Sequence, residues 1–370
     1  MAVHPSKRLA PAPSGPSAPA LPAEVALPPQ AAEAGQSAPS ILAVIVCYEP
    51  DRNALLPLVE RLRASPGVRV LLVDNSELQS GRASTVAVGR SRGVSCVINS
   101  RNLGVAAAQN IGIAEALGQD SEFVLLVDQD SVPAEDMIDR LVGAYRRLVA
   151  DGRRVAAVGP AFEDPRCGVA FPFARLRRLR MQTFVPRAGH AVECDLLISS
   201  GCLLSAAALR EVGNMDEGLF IDYVDIEWCQ RARVLGWQVF GVADARMHHS
   251  MGERAVRLFG RVIAIHSPVR HYYLMRNALL FARKPYLPSR WRLHLIYRVL
   301  GQLVLFGLLV PHRIERLHWM LLGVWDGARG VVGRLGGVDG LGAVRCSSPP
   351  RPHGAGPDGA CASGLSSLRD

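Results

Sequence analysis

The sequence predicts an α/β protein: a mainly parallel central sheet flanked by helices, with a helical extension at the C-terminal end. Three observations carry that expectation. Short, almost wholly apolar runs alternate with helical spacing through the first half of the folded region, as strands buried on both faces and their crossover helices do. Two of those runs, VRVLLVD and FVLLVD, end on an aspartate. After Arg270 the pattern becomes helical and stays so to about residue 332.

Taken in order, ILAVIVCY over 41–48 is a strand that runs into a Pro/Asp turn, and Leu55, Leu58, Val59 and Leu62 beyond it fall on one helical face. Strands follow over 68–74 and 94–98, then a helix over 105–117 and a strand over 123–128. Ligands of such sheets sit beyond the carboxyl ends of the strands, so Asp74 and Asp128 stand where chemistry is expected. The middle is less regular, with strands over 155–159, 193–198 and 237–242 and helices over 206–212 and 226–235. Helices then begin at HYYLMRNALLFARK and continue over 290–310 and 314–332. No internal repeat is visible.

The chain has 370 residues, 49% hydrophobic and 20% charged, enough to bury a sizeable core. Its ends differ in composition. Ala, Pro and Ser dominate 1–38, and Gly, Pro and Ser dominate 336–370, leaving too few large apolar side chains to repay ordering. Both are expected to be disordered tails, with the main domain at 39–283 and C-terminal helices at 284–335. The net charge of +9 comes from arginines of the second half rather than from a dense basic stripe with aromatic residues. Nucleic acid is therefore not expected as a partner, whereas anionic lipid or a diphosphate accounts for the charge. Eight cysteines without a CxxC pair argue against a zinc site or disulfide framework and for a reducing cytoplasm. The N-terminus lacks the continuous apolar core of a secretory signal. The longest apolar run, 299–310, contains Gln302 and falls well short of the ~20 residues of a spanning helix. Flanked by Trp291, Arg298, His312, Arg313 and Trp319, it suits either a helix lying in a membrane interface or one covering the sheet.

Four features carry chemistry. Asp128-Gln129-Asp130 closes an apolar strand, and two carboxylates one residue apart at a strand end can both turn toward a divalent cation that shares oxygen ligands with a diphosphate. Solvated turn acids are the plainer alternative. Asp74 stands where a dinucleotide-binding fold places an acid on the ribose, but CYEPDRNAL has no GxGxxG, so a nicotinamide enzyme is not expected. A carboxylate there can still accept from a nucleobase N–H or a ribose hydroxyl. In FIDYVDIEWCQRARVLGW, Asp222, Asp225 and Glu227 gather at a helix N-terminus, where the dipole favours negative charge; they serve as caps, or one is a general base toward an acceptor hydroxyl. His248-His249, after a predicted strand, offers an imidazole to a carboxylate metal site.

In order, VCYEPD, LLVDNS, NSRNLGVAAAQNIGI, LLVDQDS, SSGCLLS, FIDYVDIEWCQRARVLGW and the HHSMGE segment resemble the inverting glycosyltransferases of family 2, of GT-A fold, over about 41–283. With YYLMRN downstream, they are most similar to the bacterial dTDP-rhamnosyltransferase branch, which builds O-antigen and related surface polysaccharides. The resemblance implies that Val46, Cys47, Tyr48 and Asp74 form the nucleobase pocket and that Arg101, Asn102 and Gly104 lie along the nucleotide. It implies Asp128 near the ribose and metal, Gln129 among the donor-binding residues, Asp130 and His249 on the metal, and Gly201 giving the transferred sugar close access to backbone. Asp225 would be the catalytic base, supported by Glu227 and Arg231. A divalent metal, Mg or Mn, is implied as cofactor. The implied partners are dTDP-L-rhamnose as nucleotide-sugar donor and a lipid-linked glycan or polysaccharide acceptor at the inner face of the cytoplasmic membrane. One departure stands out: VCYEPD has Cys47 where many relatives have Thr or Ser, which leaves base selectivity open. A UDP-hexose or UDP-galactofuranose donor and a binding protein without turnover are the competing readings. Arg175, Arg177, Arg178 and Arg180, in a stretch expected to be irregular, either meet a lipid-linked diphosphate or form a solvated basic loop.

Overall fold

The computed structural model describes residues 24–27, 38–164, 169–248, 254–258, 261–309 and 312–336. The two expected tails lie almost wholly outside the described residues, as does His249. In chain order the first half comprises β1 (Glu24–Ala26), β2 (Ile41–Cys47), α1 (Arg52–Arg63), β3 (Val68–Asp74), α2 (Gln79–Arg92), β4 (Ser95–Ile98), α3 (Val105–Gly118) and β5 (Phe123–Asp128). The middle comprises β6 (Val132–Pro133), α4 (Met137–Ala150), β7 (Val155–Asp164), β8 (Val169–Phe171), β9 (Phe173–Arg177), β10 (Arg180–Phe184), β11 (His190–Cys194), β12 (Cys202–Ser205) and α5 (Ala206–Val212). After a 3-10 turn at Glu217–Leu219 come α6 (Val224–Val234), β13 (Gln238–His248), β14 (Arg254–Leu258), β15 (Arg261–Ile265), α7 (Pro268–Ala282), α8 (Ser289–Leu309) and α9 (Arg313–Arg329).

The main sheet runs β1-β11-β13-β7-β12-β5-β2-β3-β4. Strands β2, β3, β4 and β5 are parallel, as their apolar runs predict, and β13 is parallel to β7. The inserted β12 runs against both β5 and β7. Its reversal begins at Gly201, whose φ of 78° turns the chain and whose N–H donates to the Leu126 carbonyl at 2.8 Å. β11 is likewise antiparallel to β13. Glu24–Ala26, inside the segment expected to be a tail, pairs with the edge of β11.

One face of the sheet is covered by α1 through Leu55, Leu58, Val59 and Leu62 and by α4 through Met137, Leu141 and Leu148. The other is covered by α3, α6 and the C-terminal helices through Ile113, Trp228, Phe281 and Trp291. Besides β1, other elements differ from expectation, among them α4, which was not predicted although Met137, Leu141, Ala144 and Leu148 lie on one helical face. α2 was not predicted because it buries Gly81, Thr85, Val88 and Gly89, which make no apolar stripe. The Arg-rich stretch expected to be irregular is an antiparallel hairpin of β9 and β10, and Arg175 within it pairs with Glu193 and Asp195 at 3.4 and 3.6 Å rather than facing a ligand.

α7 packs closely on α9: a Cβ on Gly323 would lie 2.3 Å from the Tyr272 carbonyl oxygen, so only glycine fits there. α8 turns Trp291, Leu295, Val299 and Phe306 inward. Its outer face presents Leu293, Ile296, Tyr297, Leu300 and Val304, of which Tyr297 is 69% exposed. No helix among the described residues is long and apolar enough to cross a membrane.

Candidate active site

Because parallel strands end together, the sheet brings the expected nucleotide residues to one edge. Cys47 stands beside Asp74 and Val46 beside Asp128 in the strand registers. Asp74 is fully buried: its Oδ1 accepts from the Ser76 N–H at 2.5 Å, while its Oδ2 has no partner. An unmatched buried carboxylate oxygen is costly, on the order of 1–3 kcal/mol or more, and a ligand N–H or O–H would relieve that cost. The Cys47 thiol turns into the core, where burial pushes its pKa up, and its carbonyl accepts from the Asn75 N–H at 2.8 Å.

Gln129, expected among the donor-binding residues, spends both polar atoms of its side chain on Tyr48. Its Oε1 accepts from the Tyr48 N–H at 2.8 Å, and its Nε2 donates to the Tyr48 carbonyl at 3.0 Å. It therefore ties the strand end carrying the two aspartates to the loop after β2. The Tyr48 hydroxyl donates to Glu77 Oε2 at 3.4 Å, and burial, with the carboxylates of Glu77 and Glu49, pushes its pKa up to about 12. Asn102 Oδ1 accepts from the Gly104 N–H at 2.9 Å. Gly104 has φ 90°, and a Cβ there would lie 2.5 Å from the Phe220 ring. The Asn75 side chain holds the Gly104 carbonyl at 2.9 Å and accepts from Asn99 Nδ2 at 2.8 Å, so 102–104 is fixed beside Asp74 while Arg101 stays exposed.

Asp128 is half-buried at the end of β5, and Asp130 is exposed. The Asp128 N–H donates to Ser200 Oγ at 3.0 Å, and that hydroxyl lies 2.6 Å from Ser131 Oγ. Gly201 packs under this loop, where a Cβ would meet Pro160 Cγ at 2.6 Å. β13 ends with His248 opposite Val132, alongside the loop that carries Asp130. Among the described residues no three His, Cys, Asp or Glu side chains group as a metal site. The two carboxylates nevertheless fit a hard divalent ion that takes its other ligands from phosphate oxygens and water, as Mg does.

Asp225 lies in the first turn of α6. Its Oδ2 accepts from the Ser199 N–H at 3.1 Å and its Oδ1 from the Ile226 N–H at 2.8 Å. Ser199 and Ser200 are adjacent, so one short loop holds both Asp225 and Asp128. Burial pushes Asp225 up to about 6; the two N–H bonds oppose that, and the nearby charges of Asp222 and Asp128 add to it. Asp222 itself is committed to Arg270, with Nη2 at 2.9 Å from Oδ1. Glu227 accepts from Arg231 through both oxygens at 2.9 and 3.0 Å and from the Tyr286 hydroxyl, while Arg231 also donates to the Val212 and Asn214 carbonyls. These two residues brace the helix behind Asp225.

The loop before α6 is strained: Phe220, Asp222 and Tyr223 have φ of 64°, 63° and 66°. Such backbone costs about 1–3 kcal/mol per residue and persists only where its surroundings enforce it. Asn277 Nδ2 lies within bonding distance of the carbonyls of Leu219, Ile221 and Asp222 at 2.8, 2.6 and 3.1 Å, and Arg276 Nη2 donates to Leu219 O at 3.0 Å. Both residues belong to the YYLMRN string, which carried no assigned role in the sequence. The available signal was an Arg-Asn pair in an otherwise apolar, aromatic helix.

The fold and this site together define a GT-A glycosyltransferase. Residues 42–199 match the model of Glycosyl transferase family 2. The dTDP-rhamnosyl transferase RfbF of Shigella flexneri is 33% identical over 296 residues, 80% of this chain and 97% of that protein. The galactofuranosyltransferase GlfT1 of Mycobacterium tuberculosis is 26% identical over 249 residues, 64% of this chain and 80% of that protein. Among solved structures, S. aureus TarS 1-349 in complex with UDP-GlcNAc is similar in fold, with a TM-score of 0.50 at 16% identity over 79% of this chain and 81% of that one. This chain belongs to glycosyl transferase family 2.

Proposed function

We propose that the chain transfers L-rhamnose from dTDP-L-rhamnose to a hydroxyl of a growing surface glycan, with inversion at the anomeric carbon. The observation that carries the chemistry is the Ser199-Ser200 link, which holds a half-buried carboxylate of raised pKa, Asp225, in fixed relation to Asp128. The donor sugar rests on the likeness to RfbF. Asp225 is the general base: a carboxylate titrating near 6 is ionised at neutral pH and still basic enough to take the proton of an attacking hydroxyl. Asp74 offers its unmatched Oδ2 to the nucleobase or ribose, and Tyr48, fixed by Gln129, walls that pocket. Asp128 and Asp130, with His249, would hold Mg or Mn, which when bound supplies positive charge to the departing diphosphate. Glu227, Arg231, Arg276 and Asn277 orient α6 and its entry loop.

The acceptor is met at a membrane surface. The outer face of α8 is apolar from Leu293 to Val304, and no acid occurs between residues 289 and 314. The exposed Arg178 and Arg180 of the hairpin tip adjoin it, since His294 Nδ1 lies 3.0 Å from the Leu179 carbonyl. An apolar helical face with a basic rim fits the interface of an anionic bilayer. From another side of α8, Arg298 lies 5.7 Å from the Tyr223 ring, in the loop that leads to Asp225.

The test is turnover of dTDP-rhamnose against UDP- and GDP-sugars with Mg, Mn or EDTA and lipid-linked acceptors. Metal-dependent release of dTDP supports the reading. Turnover of UDP-galactofuranose instead would keep the mechanism and replace the donor, while tight nucleotide binding without turnover on any acceptor would indicate a binding protein.

A further inference from the structure

We propose that residues 331–336, the segment after α9, form a wall of the donor pocket, with Arg334 as a positioning residue for Glu77 and Tyr48; this rests on the donor reading above. α9 ends at Gly330, whose φ of 80° turns the chain back toward the sheet. Three backbone groups then pin the segment. The Gly333 N–H donates to the Gly218 carbonyl at 2.7 Å, the Gly333 carbonyl accepts from Arg276 Nη1, and the Leu335 N–H donates to the Tyr273 hydroxyl at 3.0 Å. Leu335 packs with Phe220, Tyr272 and Tyr273, and Phe220 stacks on Tyr273 at 5.2 Å.

From this anchorage Arg334 reaches Glu77, 257 residues away in sequence, with Nη1 at 2.6 Å from Oε1. The other oxygen of Glu77 receives the Tyr48 hydroxyl. Glu49 lies close by, its Oε1 accepting from the N–H groups of Glu77 and Leu78 at 2.8 Å. Two carboxylates therefore border the ring that walls the nucleobase pocket, on the approach of a donor whose diphosphate is itself anionic. Arg334 supplies the compensating positive charge and fixes the Glu77 carboxylate under the Tyr48 hydroxyl.

The pair is not needed to hold the segment down. Part-exposed ion pairs contribute only about 0–1 kcal/mol, and the backbone bonds above already anchor the strap. The effect of Arg334 therefore falls on the pocket. Because Arg276 binds both Gly333 and Leu219, the same strap joins the nucleotide side of the cleft to the loop that leads to Asp225.

The experiment is calorimetric titration of dTDP into the full chain, with donor KM and kcat measured alongside, for wild type, Arg334→Ala, Arg334→Lys and the swap Arg334→Glu with Glu77→Arg. Leaving the Glu77 charge uncompensated beside an anionic donor predicts dTDP binding weaker by up to about fivefold and a matching rise in donor KM at unchanged kcat for Arg334→Ala. Arg334→Lys should recover most of it, whereas the swap, which restores the ion pair but leaves the Tyr48 hydroxyl without its acceptor carboxylate, should not. Wild-type affinity in Arg334→Ala overturns the proposal, as does a fall in kcat and melting temperature that Arg334→Lys fails to restore, since that is a merely structural effect. No dTDP binding by wild type would instead overturn the donor reading itself.

Discussion

The role proposed for Asp225 sets two demands against each other. Catalysis needs a carboxylate that is ionised yet basic, and burial raises its pKa from 3.8 to about 6, which makes ionisation costly to the fold. The linkage has a definite sign: the penalty is absent below about pH 4, grows as pH rises, and is complete above about 6. Asp225→Asn should therefore lower turnover by about 10²–10⁴-fold, the usual worth of a general base, and remove the loss of stability that ionisation brings between about pH 4 and 6. Calorimetry across pH beside a turnover assay checks both halves; a variant that keeps the wild-type pH dependence of stability would place that titration on another group. For wild type, kcat/KM should rise with pH through about 6 and then level off. The positions of Asp74 and Asp128 at strand ends and of Asp225 at a helix start were legible in the sequence because apolar runs and helical spacing mark where those elements end and begin. Asn75, Asn99 and Ser200 were not, since their role is to bond other loops, and spacing along the chain does not reveal such pairings.

Elements differ in how plainly the sequence announces them. β2, β3 and β5 bury both faces over most of their length and read as nearly continuous apolar runs, whereas α2 buries Gly81, Thr85, Val88 and Gly89 and leaves no apolar stripe. α7 is legible as a helix, but its function as a clamp depends on Asn277 meeting three carbonyls of a strained turn. Asn277→Ala should release that turn and lower kcat by about tenfold or more, with little change in dTDP affinity, because the donor half is held by other bonds. Equal losses in binding and turnover would show that the clamp serves the whole cleft. On α8, each large apolar side chain moved out of water yields about 1–2 kcal/mol, and each arginine near an anionic surface adds about 1 kcal/mol. Co-sedimentation should therefore show binding to vesicles containing phosphatidylglycerol and weaker binding to neutral ones. Leu293→Ser with Tyr297→Ser should abolish it while leaving dTDP binding intact. Equal binding to both vesicle types would remove the role given to Arg178 and Arg180.

For the molecule as a whole, alternation of strands and helices correctly predicts a mainly parallel sheet with helices on both faces and a helical extension. It does not predict the mixed directions of the acceptor half. There β12 is short and set off by Gly201, and β11 is followed by a loop that returns under α6, so direction depends on turn geometry rather than on periodicity. The edge strand β1 escaped because Glu24–Ala26 sits in a segment whose composition resembles a linker.

The inverted β12 also bears on how the chain is made. Synthesis from the N-terminus completes β2, β3, β4 and β5 long before residue 202 emerges, and until then one edge of β5, buried from Phe123 to Val127, has no neighbour. An open apolar edge is a template for pairing with another chain. Nascent chains stalled between residues 130 and 200 should consequently recruit chaperones and aggregate on release, whereas release after residue 212, once β12 and α5 have closed that edge, should sharply reduce both. The same sheet order that sets the Asp128 loop beside Asp225 thus leaves the chain vulnerable during translation.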